Sequence, residues 1–263
     1  MAKANTNWTI TKGEGPLVAV SLHSGSALRE EVRELLAVDE TARRHEEDIF
    51  TDRWTEIAPT RVVLHTSRFE VDMNRRRKKA VYLTPDDAWG LKLWKEAPPT
   101  ELLERSLKLH DRFYAEMEAL LREKAERHGR FVVFDIHSYC HYCRGPDSPP
   151  GSTDENPEIN LGTGSMEREK WAPVVESFLR DMRSFEYPGG KLDVRENVKF
   201  RGGYFPSWVH ETFPDEGCAL AVEVKKFYMD EWAGQPYAEH VEAVGRALGS
   251  TVPNILEILK EPG

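Results

Sequence analysis

Two histidines of the chain lie where a metal ion could be bound. His23 in S-L-H-S-G follows the apolar run 17–22, and His137 in F-D-I-H-S-Y follows the apolar run 131–136. Both runs are typical of buried strands, and open α/β sheets bind their ligands at strand ends. A hydrolytic zinc ion usually takes three protein ligands from His, Asp or Glu and keeps a fourth position for water. Each histidine alone would suit a hydrogen-bonded strand-end residue, but their matching placement, each followed by Ser, indicates a metal site.

The charged segment 43–54 can supply the carboxylate that the two histidines lack. Its acids are Glu46, Glu47, Asp48 and Asp52. We predict a single helix over residues 40–57, ended by Pro59. On that helix Asp48 and Asp52 would share a face because they are four residues apart, so one could bind metal while the other orients a neighbour.

Glu223 interrupts a strand that is otherwise apolar, in the run A-L-A-V-E-V. An unpaired buried charge costs several kcal/mol or shifts its pKa until the group is neutral. This carboxylate is therefore expected either to have a charged partner or to have a catalytic role. One interpretation is a salt bridge with Lys225 or Lys226 at the strand end. The other is a general base that takes a proton from water at the metal and later passes it to a leaving amine.

Basic and amide side chains in S-R-F-E-V-D-M-N-R and F-R-G-G-Y could hold an anion. The candidates are Arg68, Asn74, Arg75 and Arg201. A guanidinium group presents a rigid fork that matches a carboxylate, and an amide beside it adds a donor. The two glycines after Arg201 let the backbone approach a ligand closely, and Asp72 could orient one of the arginines. We therefore expect a small-molecule substrate with one or two carboxylates.

The composition limits what kind of protein this is. A chain of 263 residues with 40% hydrophobic and 31% charged content can bury a full core, and we expect a single domain over residues 1–263. The net charge of −9 gives no electrostatic footprint for nucleic acid. No segment approaches the roughly 20 apolar residues that span a bilayer, and three cysteines agree with a reducing compartment. We expect a cytoplasmic protein without nucleic-acid or membrane partners, as a monomer or a small homo-oligomer.

Cys140 and Cys143 form a C-x-x-C shortly after His137. We do not favour a redox role or a second metal for this pair, because no second C-x-x-C accompanies it and no thioredoxin-like context surrounds it. We assign no role to these cysteines or to His141 between them.

Strand-like and helix-like segments alternate along the chain, as in a sheet covered by helices on both faces. We predict strands at residues 17–22, 61–65, 131–136 and 218–224. We predict helices at residues 28–36, 40–57, 100–128 and 167–185, with closing helices at residues 237–248 and 255–259. The segment 144–164, rich in Pro, Gly, Ser and Asp, is predicted to be a long loop of the kind that shapes active sites.

Seven motifs in one order resemble those of the N-formylglutamate amidohydrolase family, from about residue 18 to residue 231. They are H-S-G, E-E-D-I-F-T-D-R-W, S-R-F-E-V-D-M-N-R, D-I-H-S-Y, I-N-L-G-T, V-K-F-R-G-G-Y and A-V-E-V-K-K-F-Y-M-D-E. The resemblance implies a fold similar to that of the zinc carboxypeptidases, which is a phosphorylase/hydrolase-like, three-layer α/β architecture with a mixed central sheet. It also implies a Zn²⁺-dependent hydrolase that cleaves N-formyl-L-glutamate to formate and glutamate, late in one route of histidine degradation.

The resemblance also assigns roles to individual residues. The family's metal ligands fall on His23, Asp48 and His137, its substrate clamp on Arg68, Asn74 and Arg75, and its last-strand glutamate on Glu223. In the implied mechanism Glu223 is the general base and Arg68 stabilises the oxyanion. Arg201 would help to hold the substrate carboxylate.

Departures from the family pattern leave alternatives open. Zinc carboxypeptidases place their acidic ligand three residues after the first histidine, where this chain has Ser26, so Glu46 or Glu47 could replace Asp48. The segment C-H-Y-C-R-G after the second histidine differs from the family and alters the pocket wall. The resemblance therefore supports amide hydrolysis as the reaction more strongly than it supports N-formyl-L-glutamate as the substrate.

Two further functions are considered beside the formyl substrate. One is a hydrolase of larger N-acyl amino acids or peptide C-termini, which is favoured if Trp89, Trp94 and Tyr142 line an open groove. The other is a non-catalytic carboxylate-binding relative, against which the two histidines and Glu223 argue. Zinc is the default among zinc, iron, cobalt and manganese, given His and Asp ligation.

Overall fold

The computed structural model describes residues 7–142, 145 and 147–261 of the chain. The strands are β1 (Trp8–Thr11), β2 (Leu17–Ser21), β3 (Thr60–Leu64), β4 (Phe131–Tyr139), β5 (Ile159–Gly162), β6 (Glu186–Tyr187), β7 (Gly190–Lys191), β8 (Val194–Glu196), β9 (Gly217–Lys225), β10 (Met229–Asp230) and β11 (Gln235–Pro236). The α-helices are α1 (Glu30–Leu35), α2 (Glu40–Glu46), α3 (Thr51–Trp54), α4 (Thr100–His128), α5 (Ala172–Ser184), α6 (Tyr204–Thr212) and α7 (Ala238–Lys260). Short 3₁₀ helices lie at Thr55–Ile57, Arg77–Lys79, Pro85–Asp87 and Lys226–Tyr228. Cys143 of the C-x-x-C lies outside the described residues.

Seven strands form one mixed sheet in the order β1-β3-β2-β4-β9-β5-β8. Strands β3, β2, β4 and β9 run parallel, and β1 pairs with β3 in antiparallel orientation at one edge. On the other side, β5 is antiparallel to β9 and parallel to β8. The pairs β6 with β7 and β10 with β11 form separate two-stranded sheets. The predicted α/β fold class with a mixed central sheet is confirmed.

Helices cover both faces of the main sheet because successive strand residues point to opposite sides. In β2, Leu17 and Ala19 belong to a core cluster with residues of α5 and α7, whereas Val18 and Val20 belong to a second cluster with residues of α4 and α6. Burying each larger apolar side chain stabilises the fold by about 1.5–3 kcal/mol. A strand that is apolar at every position is therefore covered on both faces, and three layers result.

The long helix α4 has the bounds predicted from the sequence. Its buried side chains include Leu102, Phe113, Met117 and Leu121, which form the expected apolar stripe. The helix ends at Gly129, whose φ of 73° lies in the left-handed region that glycine adopts without steric cost. A long periodic pattern with a clear stop signal was thus sufficient to define this element.

The single helix predicted for the charged segment is wrong, because the segment is divided into α2 and α3. The backbone N–H of Asp48 donates to the carbonyl oxygen of His23 at 2.9 Å instead of continuing the helical ladder. Phe50 takes a left-handed conformation with φ of 75°, and Thr51 Oγ1 donates to the carbonyl oxygen of Asp48 at 2.7 Å. Asp48 and Asp52 therefore do not share a helical face, since Asp52 is exposed and Asp48 is buried.

Three other predicted boundaries also need correction. The two closing helices are one helix, α7, which passes through Pro253. Buried residues lie on both sides of that proline, among them Leu248 and Ile255, so continuous packing outweighs the lost backbone hydrogen bond. The loop predicted at residues 144–164 contains β5, and the helix predicted from residue 167 begins at Ala172.

The structure also shows elements that the sequence patterns did not predict, among them β1, β8 and α6. These three span four, three and nine residues, which is too short for a periodic signal to stand out. Of the helices in the described parts of the chain, none is both long enough and apolar enough to span a bilayer.

Candidate active site

The site lies where the parallel strands β2, β4 and β9 end. His23 follows β2 by two residues, and His137 on β4 is the register partner of Glu223 on β9. His137 was predicted to follow its strand but lies within β4, because β4 continues to pair with β9 as far as Tyr139. The sheet therefore brings residues 23, 137 and 223 to one edge although they are distant in sequence.

Both histidines are held by carboxylates through their Nε2 atoms. His23 Nε2 lies 2.7 Å from Asp72 Oδ1, and His137 Nε2 lies 2.9 Å from Asp135 Oδ1. Their Nδ1 atoms face Asp48 instead, at 3.4 Å for His23 and 3.0 Å for His137, measured to Asp48 Oδ2. Such carboxylate–histidine pairs fix the ring orientation of metal-binding histidines.

The cluster formed by His23, Asp48 and His137 fits a divalent cation. One ligand atom from each residue lies within 4.8 Å of the other two, and all three residues are buried. His23 Nδ1 is buried without a hydrogen-bond partner among the described residues, which is costly unless another group satisfies it. Two imidazole nitrogens and a carboxylate are the donor set of many hydrolytic zinc sites.

Neither alternative acid lies beside both histidines. Glu47 is bound by Arg43, and its Oε1 also accepts from Ser67 Oγ at 2.6 Å. Glu46 instead lies next to His45, with its Oε1 3.1 Å from His45 Nδ1. Of the acids considered from sequence, the structure therefore places Asp48 at the histidine pair.

Charge and burial in the cluster shift several pKa values. Burial alone would raise the pKa of Asp48, but the hydrogen bond with His137 and the charges of His23 and His137 hold it well below its usual range. Burial would lower the pKa of His137, but the charge and hydrogen bond of Asp135 raise it well above the usual value. The cluster thus holds an ionised Asp48 beside a protonated His137, and a cation bound there would replace that proton.

Glu223 differs from the carboxylates that hold the histidines. It is partly buried, and burial with the nearby charges of Asp48 and Asp135 raises its pKa to about 7, although His137 opposes the shift. A carboxylate that titrates near neutrality is suited to proton transfer. The predicted alternative, a salt bridge with the next two lysines, is wrong because their ammonium groups donate to backbone carbonyl oxygens instead.

Arg68 is fixed in the wall of the site. Its guanidinium Nη2 lies 3.4 Å from Asp72 Oδ2, its Nη1 lies 3.9 Å from Asp48 Oδ1, and its Nε donates to Tyr82 Oη at 3.1 Å. The guanidinium also stacks on the Trp89 ring, 4.7 Å from the ring centroid. Tyr82 Oη in turn donates to Asp72. Arg68 is therefore a positioned positive charge beside the cluster.

Asn74 is the residue of the predicted clamp that lies next to His137. Its Nδ2 is 3.3 Å from His137 Nε2, and its Oδ1 accepts from the backbone N–H of Phe205 at 2.9 Å. A Cβ added at Gly203 would lie 2.3 Å from the Asn74 amide atoms, so a side chain there would displace Asn74. Of the glycine pair predicted to allow close approach, Gly203 thus packs against the clamp itself.

The cluster opens into a cavity of about 980 Å³. Its arginine and lysine lining residues are Arg68, Arg75, Arg76, Lys78, Lys79, Lys199, Arg201 and Lys226. Arg75 and Arg201 are exposed in this cavity. The predicted clamp therefore has two residues that are held by their neighbours, Arg68 and Asn74, and two that are accessible to solvent. A basic cavity with a buried acidic centre suits an anionic substrate.

The aromatics of the cavity are only partly those expected. Trp89 lines it and is 50% exposed, as does Phe200, which is 37% exposed. Trp94 is buried elsewhere, where its Nε1 donates to the Tyr82 carbonyl oxygen at 2.7 Å. Tyr142 does not line the cavity, whereas Trp232 does.

Two site residues were not predicted from the sequence. Asp135 stands two residues before His137, and strand periodicity places both on the same face of β4, so this signal was available. Tyr82 comes from an irregular segment after the basic run, and no local pattern marks it.

The fold and this cluster define an α/β protein built around a candidate divalent-cation site. The family model described as N-formylglutamate amidohydrolase matches residues 15–229. Because this match covers most of the chain, the chain belongs to the N-formylglutamate amidohydrolase family, and it is a hydrolase that acts on an amide bond. The resemblance inferred from the sequence motifs is confirmed.

Solved structures share this fold at low sequence identity. An N-formylglutamate amidohydrolase from Ralstonia eutropha JMP134 superposes with a TM-score of 0.75 and 18% identity, covering 97% of this chain and 98% of that chain. A gene product of Agrobacterium tumefaciens gives a TM-score of 0.61 and 16% identity, with 94% and 96% covered. A metallo-carboxypeptidase from Burkholderia cenocepacia reaches only 0.36 at 15% identity, with 92% and 56% covered, which is too low to support an argument. No curated protein matches the sequence significantly.

Proposed function

We propose that the protein is a zinc-dependent amidohydrolase that cleaves N-formyl-L-glutamate to formate and glutamate. The observation that carries this proposal is the convergence of His23 Nδ1, His137 Nδ1 and Asp48 beside Glu223 at the base of a basic cavity. The ligand set supports zinc, and the basic lining supports a substrate with carboxylates. Family membership supports the formyl substrate and, with it, a place in histidine degradation.

The residues of the site divide the chemistry among them. A divalent cation held by His23, Asp48 and His137 would supply Lewis-acid polarisation and acidify water. Glu223 takes a proton from the attacking water and returns it to the leaving nitrogen, for which its raised pKa is suited. Arg68 stabilises negative charge that develops on the amide oxygen, because its guanidinium is already fixed by its neighbours.

The remaining groups position the substrate. Asn74, Arg75 and Arg201 are proposed to hold its carboxylates, which places the formyl amide at the cluster. We further propose that residues 1–263 form one catalytic domain, since both core clusters share the same sheet. We also propose that the protein is cytoplasmic and is a monomer or a small homo-oligomer. Its proposed binding partner is a small-molecule carboxylate.

The test is formate release from N-formyl-L-glutamate by the purified protein as isolated, after chelation and after Zn²⁺ is restored. We expect activity to be lost on chelation and recovered with zinc. Asp48→Asn should lose metal and activity, whereas Asp52→Asn, a matched change at an exposed acid of the same segment, should keep both. Zinc-loaded protein that releases no formate would contradict the substrate but not the hydrolase class.

A second candidate is hydrolysis of a larger N-acyl amino acid. The observation that favours it is the size of the cavity, about 980 Å³, with exposed Trp89 and Phe200 in its lining. Pockets of about 300–1,000 Å³ accommodate drug-sized ligands, whereas formylglutamate needs much less. A higher kcat/KM for N-benzoyl-L-glutamate than for the formyl compound would establish this candidate, and a lower value would exclude it.

A further inference from the structure

A second group of metal-ligating side chains lines the same cavity. His45 and Glu46 stand at the end of α2, and Cys140 directly follows β4. One ligand atom from each lies within 4.8 Å of the other two. His45 is 4% exposed and Cys140 is 8% exposed, so the group is shielded although it borders an open cavity.

The spacing of these atoms matches a tetrahedral metal site. Zinc–nitrogen and zinc–oxygen bonds of about 2.0 Å and zinc–sulfur bonds of about 2.3 Å place N and S about 3.5 Å apart and N and O about 3.3 Å apart. The observed distances from His45 Nδ1 are 3.6 Å to Cys140 Sγ and 3.1 Å to Glu46 Oε1. Both distances from His45 Nδ1 are therefore within about 0.2 Å of those expected for ligands of one ion.

The surroundings orient His45 as a metal-binding histidine is oriented. Its Nε2 atom is buried without a hydrogen-bond partner among the described residues and lies 3.6 Å from Glu231 Oε1. Glu231 is itself held by the backbone N–H groups of His141 and Tyr142. Trp232 stacks on the imidazole with ring centroids 4.0 Å apart. A carboxylate thus faces one ring nitrogen while the other faces the ligands, as at His23 and His137.

The local charge also favours a divalent ion. An ionised Cys140 together with Glu46 and Glu231 carries three negative charges, and the ammonium group of Lys226, which donates to the Glu47 carbonyl oxygen at 2.9 Å, offsets one of them. A divalent cation would neutralise the remainder. The thiol of Cys140 and a protonated His45 would each lose a proton to solvent on binding, because the thiolate and the neutral imidazole are the forms that bind metal.

We propose that His45, Glu46 and Cys140 form a second metal site, for a thiophilic divalent cation such as Zn²⁺, in the wall of the catalytic cavity. The proposal does not rest on the substrate proposed above, because it concerns binding by residues that the hydrolytic mechanism does not use. The sulfur ligand distinguishes this site from the cluster at His23, which offers only nitrogen and oxygen, and it favours zinc over magnesium or calcium.

The test is a titration of the chelator-stripped full-length protein with Co²⁺, followed by absorption and by metal analysis after gel filtration. The wild type is expected to bind two ions per chain and to develop a near-ultraviolet thiolate-to-cobalt charge-transfer band. Cys140→Ser should lose that band and one ion. His23→Ala should also lose one ion but keep the band, and Cys218→Ala, at a buried thiol of the core, should keep both.

Two results would overturn the proposal. One is a wild-type protein that binds a single ion and shows no thiolate band under excess Co²⁺. The other is a band that survives in a folded Cys140→Ser variant, since another thiol would then be the ligand. If Cys140→Ser fails to fold, a wild-type protein that binds one ion without the band still overturns the proposal, and a wild-type protein that binds two ions with the band supports it.

Discussion

Buried ionisable groups lie at both ends of strand β2, but they are satisfied in different ways. Before its first residue, Lys124 from α4 is buried and its Nζ donates to the carbonyl oxygens of Gly13 at 2.6 Å and Gly15 at 3.0 Å. After its last residue, His23 is buried with Nε2 bound to Asp72 but with Nδ1 lacking a hydrogen bond among the described residues.

This difference indicates that Lys124 has a structural role and that His23 has a functional one. Lys124 meets backbone groups that need donors, so its charge ties the turn before β2 to the long helix. At His23 the Nδ1 atom faces Asp48 and lies near His137 without a hydrogen bond. A buried nitrogen without a hydrogen bond is destabilising, which indicates that a ligand binds to it. Burial alone would not have distinguished the two residues.

The largest expected effect follows from removing the imidazole of His23, whose Nδ1 atom lacks a hydrogen bond. His23→Ala should abolish tight metal binding and reduce amide hydrolysis by a thousandfold or more, since a three-ligand site is left with two. Zinc content and formate release measure the two consequences. Near-normal zinc content and activity in this variant would show that His23, like Lys124, has only a structural role.

Glu223→Gln is expected to reduce kcat by about a hundred- to ten-thousandfold while zinc remains bound. The amide keeps the shape of the side chain but cannot accept the proton from water. Metal analysis beside steady-state kinetics separates this effect from ligand loss. An active Glu223→Gln enzyme would remove the residue from the mechanism.

The pH dependence should reflect the same carboxylate. The pKa of Glu223 is raised to about 7, and a general base works only when ionised. The value of kcat/KM should therefore rise about tenfold per pH unit below the pKa of Glu223 and level off above it, with a midpoint between about pH 5 and pH 7 because the bound cation favours the ionised form. A profile that is flat between pH 5 and pH 8 would contradict this role.

Lys124→Met should act on stability rather than on chemistry. The loss of two charge-assisted hydrogen bonds should lower the free energy of unfolding by about 1–3 kcal/mol. Urea denaturation measures this change. At a temperature where the variant is folded, kcat should stay within twofold of the wild type, and a large fall in kcat would show that the two ends of β2 are coupled.

Much of the fold followed from the sequence because its signals are local. The apolar runs that became β2, β4 and β9, and the periodic stripe of α4, report burial directly. Leu17 to Leu22 and Cys218 to Val224 needed no knowledge of their partners.

The site was only partly predictable because its decisive features are tertiary. The residues around Asp48 have the composition of a helix, and the helix ends there because the backbone of Asp48 bonds to His23, which stands 25 positions earlier in the chain. Tyr82 reaches Asp72 from an irregular segment, and the grouping of His45 with Cys140 depends on the packing of α2 against the end of β4. Local propensity carries no information about such contacts.

The most direct test of this account is a crystal structure of the zinc-loaded protein with anomalous diffraction measured at the zinc absorption edge. We expect an anomalous peak within bonding distance of His23 Nδ1, His137 Nδ1 and a carboxylate oxygen of Asp48, with the two Nε2 atoms still bound to Asp72 and Asp135. Zinc bound through either Nε2 atom, or no peak among these three residues, would contradict it.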